Sequence, residues 1–208
     1  MTCTLCQSVT QPYKSWNGIA IFRCQQCHAL IKDTASFPSL QEEKERYDTH
    51  NNDVHAIGYQ TFVNPIVQQV KLDFSPEHNG LDYGCGPGPV ITHLLNNDSY
   101  SVQLYDPIYA PDLSYKNNMF DFIVCCEVAE HFHQPNIEFA SFKKLLKPSG
   151  KLYLMTALFN DSIDFDSWYY KNDNTHVIFY TEATFAWIQK HFGFSELMVD
   201  GSLIVLTN

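Results

Sequence analysis

The chain has 208 residues, a formal net charge of −10, and 45% hydrophobic and 14% aromatic residues, enough for one packed domain of ordinary size with a small appendage. The acidic balance opposes wrapping of nucleic acid, whose phosphates need clustered Lys and Arg. No apolar run is long enough to span a membrane and the N-terminus lacks a charged-then-apolar signal, so a cytoplasmic location is the expectation.

Four of the cysteines stand as Cys3-x-x-Cys6 and Cys24-x-x-Cys27 with seventeen residues between the pairs. In a reducing compartment such thiols stay free, and two knuckles of this spacing supply four thiolates in a tetrahedron around Zn²⁺. A closed set of that kind leaves no vacancy for water, so its role would be structural. The alternative is a redox Cys-x-x-Cys, although no βαβ pattern adjoins either pair. Between the knuckles, Asn17-Gly18 flanked by apolar residues predicts a β-hairpin over 13–22. Residues 1–35 are therefore expected to form a zinc ribbon, and 36–60 a linker and lid. The stretch 33–40 carries Pro38 and small polar residues, 41–47 reads as a polar helix, and 47–55 is dense in hydrogen-bonding groups.

Residues 61–208 read as the main domain. A helix over 57–74 is predicted from Phe62, Ile66 and Val70 at helical intervals. The short apolar run Leu81-Asp82-Tyr83 then breaks into Gly84-Cys85-Gly86-Pro87-Gly88. Alternating glycines let the backbone take positive φ and approach a ligand closely, and the following helix would offer free N–H groups to a carboxylate or phosphate. A dinucleotide loop would need its last glycine where Pro89 stands, and no Gly-Lys-Ser/Thr follows, so dinucleotides and triphosphates are disfavoured. The strand 101–105 ends in Asp106, an acid placed to meet a ribose at the carboxyl end of the sheet.

Between Asp106 and the next strand lie only thirteen residues, 107–119, with Pro107 and Pro111 among them; a turn is predicted there. The buried-strand run 120–126 leads at once into Glu127-Val128-Ala129-Glu130-His131-Phe132. A helix over 136–146, a strand over 151–156, a helix over 182–192 and closing strands over 194–199 and 202–207 complete an α/β pattern. Cys85, Cys125 and Cys126 read as small core residues rather than nucleophiles.

Glycine loop, strand-end acid, the 120–132 segment and Lys147-Pro148-Ser149-Gly150 before a strand are four ordered blocks over roughly 81–154. In these blocks the chain resembles the class I S-adenosylmethionine-dependent methyltransferases. The resemblance implies a Rossmann-like α/β sheet with the N-terminal zinc ribbon attached. It places the methionine moiety on Asp82, Gly84, Gly86 and Gly88, the ribose hydroxyls on Asp106, and the sulfonium beside Cys126 and Glu127, with Cys85 and Pro107 completing the cofactor contacts. Because the crossover is shorter than the family's usual helix and strand, adenine contacts are assigned to Asp112, Leu113 and Ser114.

Methyl transfer is an in-line displacement, so the protein aligns the acceptor and removes its proton where it carries one. His131 and Glu127 are the candidate catalytic residues. If a helix starts near Glu127, then Glu127, Glu130 and His131 share one face. Glu-x-x-Glu-His resembles the metal-binding segment of small-RNA 2′-O-methyltransferases and ubiquinone-pathway O-methyltransferases, in which a further histidine comes from beyond the next strand; His176 stands at such a place. Glu127, Glu130, His131 and His176 are thus a candidate site for a second divalent cation, and the metal-free alternative is a Glu-His pair that caps a helix and shapes the pocket. Trp168, Tyr169 and Tyr170 are expected at the acceptor pocket or its rim.

The acceptor is unnamed by these residues; small-molecule O- or N-methylation is favoured. An RNA methyltransferase docking through the ribbon is one alternative, although the ribbon offers only Lys14, Arg23 and Lys32. A sugar C-methyltransferase, whose family also begins with paired knuckles but has longer chains, is another. A non-catalytic cofactor-binding protein with a protein-docking ribbon is a third.

Overall fold

A computed structural model describes residues 1–49 and 53–208. Among the described residues ten strands and five α-helices follow in order: β1 (Thr10–Trp16), β2 (Ile19–Cys24), β3 (Leu30–Lys32), α1 (Leu40–Tyr47), α2 (Ile57–Asp73), β4 (Asn79–Tyr83), α3 (Val90–Asn97), β5 (Ser101–Tyr105), β6 (Phe120–Cys126), α4 (Pro135–Leu145), β7 (Leu146–Met155), β8 (Ile178–Phe179), α5 (Glu182–Phe192), β9 (Glu196–Asp200) and β10 (Leu203–Thr207). Six strands build the main sheet in the order β5-β4-β6-β7-β10-β9. β5, β4, β6 and β7 run parallel, and β10 is antiparallel to both β7 and β9. The chain leaves β4 toward β5 and returns on its other side to β6, so the strand order reverses between β4 and β6, where α/β sheets place ligands.

Local chemistry explains most boundaries. Asn17 and Gly18 both have positive φ, +48° and +79°, the geometry of a tight hairpin turn, and Trp16 pairs with Ile19 across it. α5 starts on a Thr181 cap and stops at Gly193 with φ +75°, so its predicted span coincides with the observed one. α1 opens on a capping box between Ser39 and Glu42. The crossover 107–119 holds only a 3-10 turn, Leu113–Asn117, and no helix or strand. β5 is therefore an edge of the sheet, covered by that turn through Gln103 to Ser114 at 2.9 Å and Asn118 to Gln103 at 3.0 Å.

Several expectations need correction. α2 buries Val63, Ile66, Val67 and Val70, while Phe62 is 42% exposed. Ile66 and Val70 of the predicted series are buried and Phe62 alone is not: Val63 takes the inward place in that turn, and Phe62 stacks on Tyr59 on the flank of the helix. β7 begins at Leu146 rather than 151, because Leu146 pairs with Phe120 ahead of a bulge, and Asn208 holds the Leu146 and Lys147 carbonyls. Most important, the ribbon strands β1-β2-β3 gain a fourth partner, β8, from the C-terminal half. Leu30 pairs with Phe179 and Ile31 with Ile178, and Leu5, Cys27, Ala29 and Ile31 belong to the same buried cluster as Val177, Ile178 and Leu152. Ile21 and Leu30 pack in a second cluster with Phe159, Phe165, Trp168 and Phe179, so both buried clusters that residues 1–35 enter are shared with the C-terminal half.

Among the described residues no helix is long and apolar enough to cross a membrane.

Candidate functional site

A cavity of about 690 Å³ opens over the carboxyl ends of β4, β5 and β6, within the range typical of small-molecule sites. Its first end is the glycine loop. Gly84 and Gly86 take φ of +79° and +62°. The turn is tied to β5 by Gly84 N–H to the Tyr105 carbonyl at 2.7 Å and Cys85 N–H to the same carbonyl at 3.1 Å. Asp106, 8% exposed, accepts from Gly86 N–H at 3.1 Å on one oxygen and from Ile108 and Tyr109 N–H at 2.8 and 2.9 Å on the other. It therefore pins the glycine loop to the start of the crossover, and its remaining lone pairs can accept from a ligand hydroxyl. Gly84, Cys85, Gly86, Asp106, Pro107, Cys126 and Glu127 all line the cavity.

Asp82 and Gly88 do not line it. Gly88 is not among the positive-φ glycines. Asp82, 4% exposed, accepts from the Thr92 hydroxyl at 2.7 Å in the first turn of α3. Burial pushes its carboxyl up to about 6. Asp112, Leu113 and Ser114, the expected adenine contacts, also lie off the cavity wall.

The second end of the cavity holds the acids and histidines. No α-helix starts at Glu127: its φ is +51°, and only a 3-10 turn, Ala129–His131, follows. Glu130, His131 and His176 nevertheless converge, each offering one ligand atom within 4.8 Å of the others, and Glu127 is not part of that group. The four-residue ligand set expected from the sequence thus reduces to three. The Nε2 atoms of His131 and His176 stand 4.0 and 3.9 Å from Glu130 Oε1. Their Nδ1 atoms face backbone carbonyls, Thr175 at 3.0 Å and Tyr170 at 2.8 Å. With a carbonyl as partner each Nδ1 is a donor and each Nε2 is turned toward Glu130, the outer-shell pattern of metal-ligating histidines.

Glu130 is fully buried, and its Oε2 has no hydrogen-bond partner among the described residues. The Tyr170 hydroxyl reaches Glu130 Oε1 at 2.5 Å and Glu127 at 3.2 Å. Burial raises Glu127 to about 7 and, with the neighbouring Glu127 charge, Glu130 to about 8. Burial and the nearby His131 hold His176 down to about 3. A buried carboxylate with two imidazoles close by is a donor set of the kind that holds a cation.

α1 covers the mouth. It has no buried residue and is held by polar straps: Asp48 to the Tyr109 hydroxyl at 2.6 Å, Arg46 to Asp173 at 2.8 Å and Glu43 to His133 at 3.0 Å. Of the predicted lid 47–55, His50, Asn51 and Asn52 lie outside the described residues; Tyr47 lines the cavity. Tyr169 and Tyr170 line it too, whereas Trp168 is 8% exposed in a core cluster with Phe159, Phe165 and Phe179. Sequence reasoning missed Tyr59, Phe62, Tyr109 and Glu138 on the wall; the pair Tyr59 and Phe62, one helical turn apart, was the available signal.

Away from the cavity, Cys3, Cys6, Cys24 and Cys27 form a compact group. Cys3 and Cys27 sulfurs are 3.5 Å apart and those of Cys6 and Cys24 3.3 Å, close to the ~3.8 Å between thiolates on a tetrahedral zinc. Backbone N–H groups of Cys6 and Gln26 point at the Cys3 and Cys24 sulfurs. The neighbouring Cys27 thiol lowers the Cys3 thiol below its ordinary value.

Comparison with known proteins follows the same lines. Residues 55–197 match a family model described as a methyltransferase domain. The fold is similar to the 1,6-didemethyltoxoflavin-N1-methyltransferase of Burkholderia thailandensis, solved with 1,6-didemethyltoxoflavin and S-adenosylhomocysteine (TM-score 0.56, 13% identity, 95% of this chain and 97% of that one). It is also similar to magnesium protoporphyrin IX methyltransferase of Synechocystis with bound SAH (TM-score 0.53, 14% identity, 84% and 97%). An O-methyltransferase family protein from Burkholderia thailandensis is similar over 79% of this chain (TM-score 0.55, 13% identity), and the chain spans only 61% of its length. A comparison with curated proteins finds no match. With the match over 55–197 and the sheet order described above, the chain belongs to the class I S-adenosylmethionine-dependent methyltransferases.

Proposed function

We propose that the protein transfers a methyl group from S-adenosylmethionine to an oxygen or nitrogen of a small molecule. The observation that carries this reading is one cavity with the glycine loop and Asp106 at one end and Glu127, His131, Tyr170 and His176 at the other. The groups present fit the cofactor: Cys85 and Gly86 line the space for the methionine portion while Gly84 admits the close approach of Val128, Asp106 retains acceptor capacity for ribose hydroxyls, and Cys126 and Glu127 would flank the sulfonium. Asp82 acts on this site through α3, away from the ligand.

Glu130, His131 and His176 fit a divalent cation, which would orient an acceptor's oxygens and lower their pKa. Glu127, which accepts from the Tyr170 hydroxyl at 3.2 Å on the cavity wall, would take the acceptor's proton, and His131 would orient the acceptor. Tyr59, Phe62 and Tyr169 give the cavity wall aromatic surface for an acceptor to pack on. Cys3, Cys6, Cys24 and Cys27 hold a structural zinc. RNA docking through the ribbon loses its support, because Lys14 pairs with Asp166, Arg23 pairs with Asp161 and Lys32 is buried.

Calorimetry with S-adenosylhomocysteine and NAD, followed by a metabolite screen with methyl-labelled S-adenosylmethionine, tests the reading. Binding of the former alone and label transfer to a small molecule are expected. Absence of S-adenosylhomocysteine binding would overturn it.

A further inference from the structure

We propose that Lys32 is a positioning residue for Glu130, His131 and His176, and that the four-cysteine cluster holds those three residues in shape through it. The inference rests on the metal reading above and extends it to a residue in the ribbon.

The three ligand residues meet on one short loop, 173–177. His176 belongs to it. The Thr175 carbonyl faces His131 Nδ1 at 3.0 Å, and Val177 N–H donates to the Glu130 carbonyl at 2.9 Å. A displacement of this loop therefore moves two imidazoles and the backbone of the carboxylate together.

Lys32 grips both ends of the loop from its inner side. Its Nζ donates to the Asp173 carbonyl at 2.8 Å and to the Asn174 carbonyl at 3.4 Å, and its backbone N–H donates to the Val177 carbonyl at 3.0 Å. The side chain is 1% exposed, with Nζ 5.3 Å from the Trp16 ring centroid and 5.8 Å from that of Phe179. A buried ammonium is costly unless its donors are used, and here they satisfy carbonyls that no regular ladder would satisfy. Arg46 reaches the same loop from the solvent side through Asp173.

The position of Lys32 is in turn set by the cysteines. Cys24 ends β2, and its N–H donates to the Ala29 carbonyl, two residues after Cys27. β3 starts at the next residue and is three residues long, paired with β2 on one side and with β8 on the other. A knuckle that loses its shape shifts this short strand, and Lys32 with it. The ribbon is then a strut for the acceptor end of the cavity rather than a docking module.

The test uses the full chain loaded with zinc, with cobalt(II) titrated as the probe of the nitrogen and oxygen site; thiolate-to-cobalt charge transfer would mark entry into the ribbon instead. Lys32→Met should weaken cobalt binding at that site about tenfold or more, as loss of outer-shell support does elsewhere. S-adenosylhomocysteine affinity, read at the far end of the cavity, should stay within about twofold. In ¹⁵N-labelled protein the His176 ring signals should shift. Cys6→Ser, which alters a half-buried thiol, should reproduce the cobalt loss in weaker form. Unchanged cobalt affinity and unchanged His176 signals in Lys32→Met overturn the proposal, as does a cobalt loss matched by an equal loss of S-adenosylhomocysteine affinity. A Cys6→Ser protein without zinc but with full cobalt affinity overturns the link to the cysteines. If the wild-type chain takes up no cobalt outside the ribbon, the metal reading fails and the His176 signals alone decide: a shift in Lys32→Met supports the strut, and none refutes it.

Discussion

Replacing Asp82 by Asn should stabilise the folded chain at neutral pH while leaving cofactor affinity nearly unchanged. The carboxyl is 4% exposed and accepts from the Thr92 hydroxyl at 2.7 Å, for which an amide oxygen is an equal acceptor. Burial raises it from the ordinary 3.8 to about 6, against the opposing pull of Thr92. The folded chain therefore holds this proton more tightly than the unfolded chain. Stability contributed by the neutral form is complete below about pH 4, is lost as pH rises toward 6, and stays lost above it. The difference corresponds to about 3 kcal/mol near pH 7 as an upper figure. Denaturant unfolding of Asp82→Asn should show a gain of about 1–3 kcal/mol near pH 7.5 that disappears near pH 4. In thermal melts each kcal/mol should raise Tm by roughly 2–4 °C for a chain of this length. A loss of stability at neutral pH, or the same difference at both pH values, would refute the reasoning. A large loss of S-adenosylhomocysteine affinity would return Asp82 to the ligand itself.

Gly86→Val places a branched side chain at φ +62° on the cavity wall and should abolish S-adenosylhomocysteine binding, whereas Asp106→Ala frees the glycine loop and should weaken it; calorimetry that finds both unchanged rules out this end of the cavity as the cofactor site. Elemental analysis should find one zinc per chain, and Cys24→Ser should lose it and lower Tm. Deleting 1–35 should cost more than the ribbon, since it strips Leu30 and Ile31 from β8 at about 1.5–3 kcal/mol for each large side chain uncovered; a truncated chain that melts like the whole one would contradict the shared core. His176→Ala and a chelator should each suppress methyl transfer while S-adenosylhomocysteine affinity holds, and transfer that survives both would leave the histidines a pocket-shaping role.

Features controlled by a few neighbouring residues could be read from the sequence. The Asn17-Gly18 hairpin, α5 between its Thr181 cap and Gly193, the strand, glycine turn and helix around Gly84, and the helix-free crossover 107–119 are all set by local φ preference, capping and proline. Cysteine spacing sufficed to bring four sulfurs together. What the sequence left open depended on phase and on contacts between distant segments. Phe62 and Val63 differ by one step around α2, and the packing of the helix on the sheet decides which of them is buried. Glu127 left the ligand group because the chain after β6 turns through a left-handed residue instead of a helix, a choice coupled to its N–H bond with Met155. The union of β3 with β8 joins residues 30–31 to 178–179, and no signal within a few residues specifies such a pairing. It forms because both short strands have an unpaired edge and an apolar face, which only the assembled core brings into register.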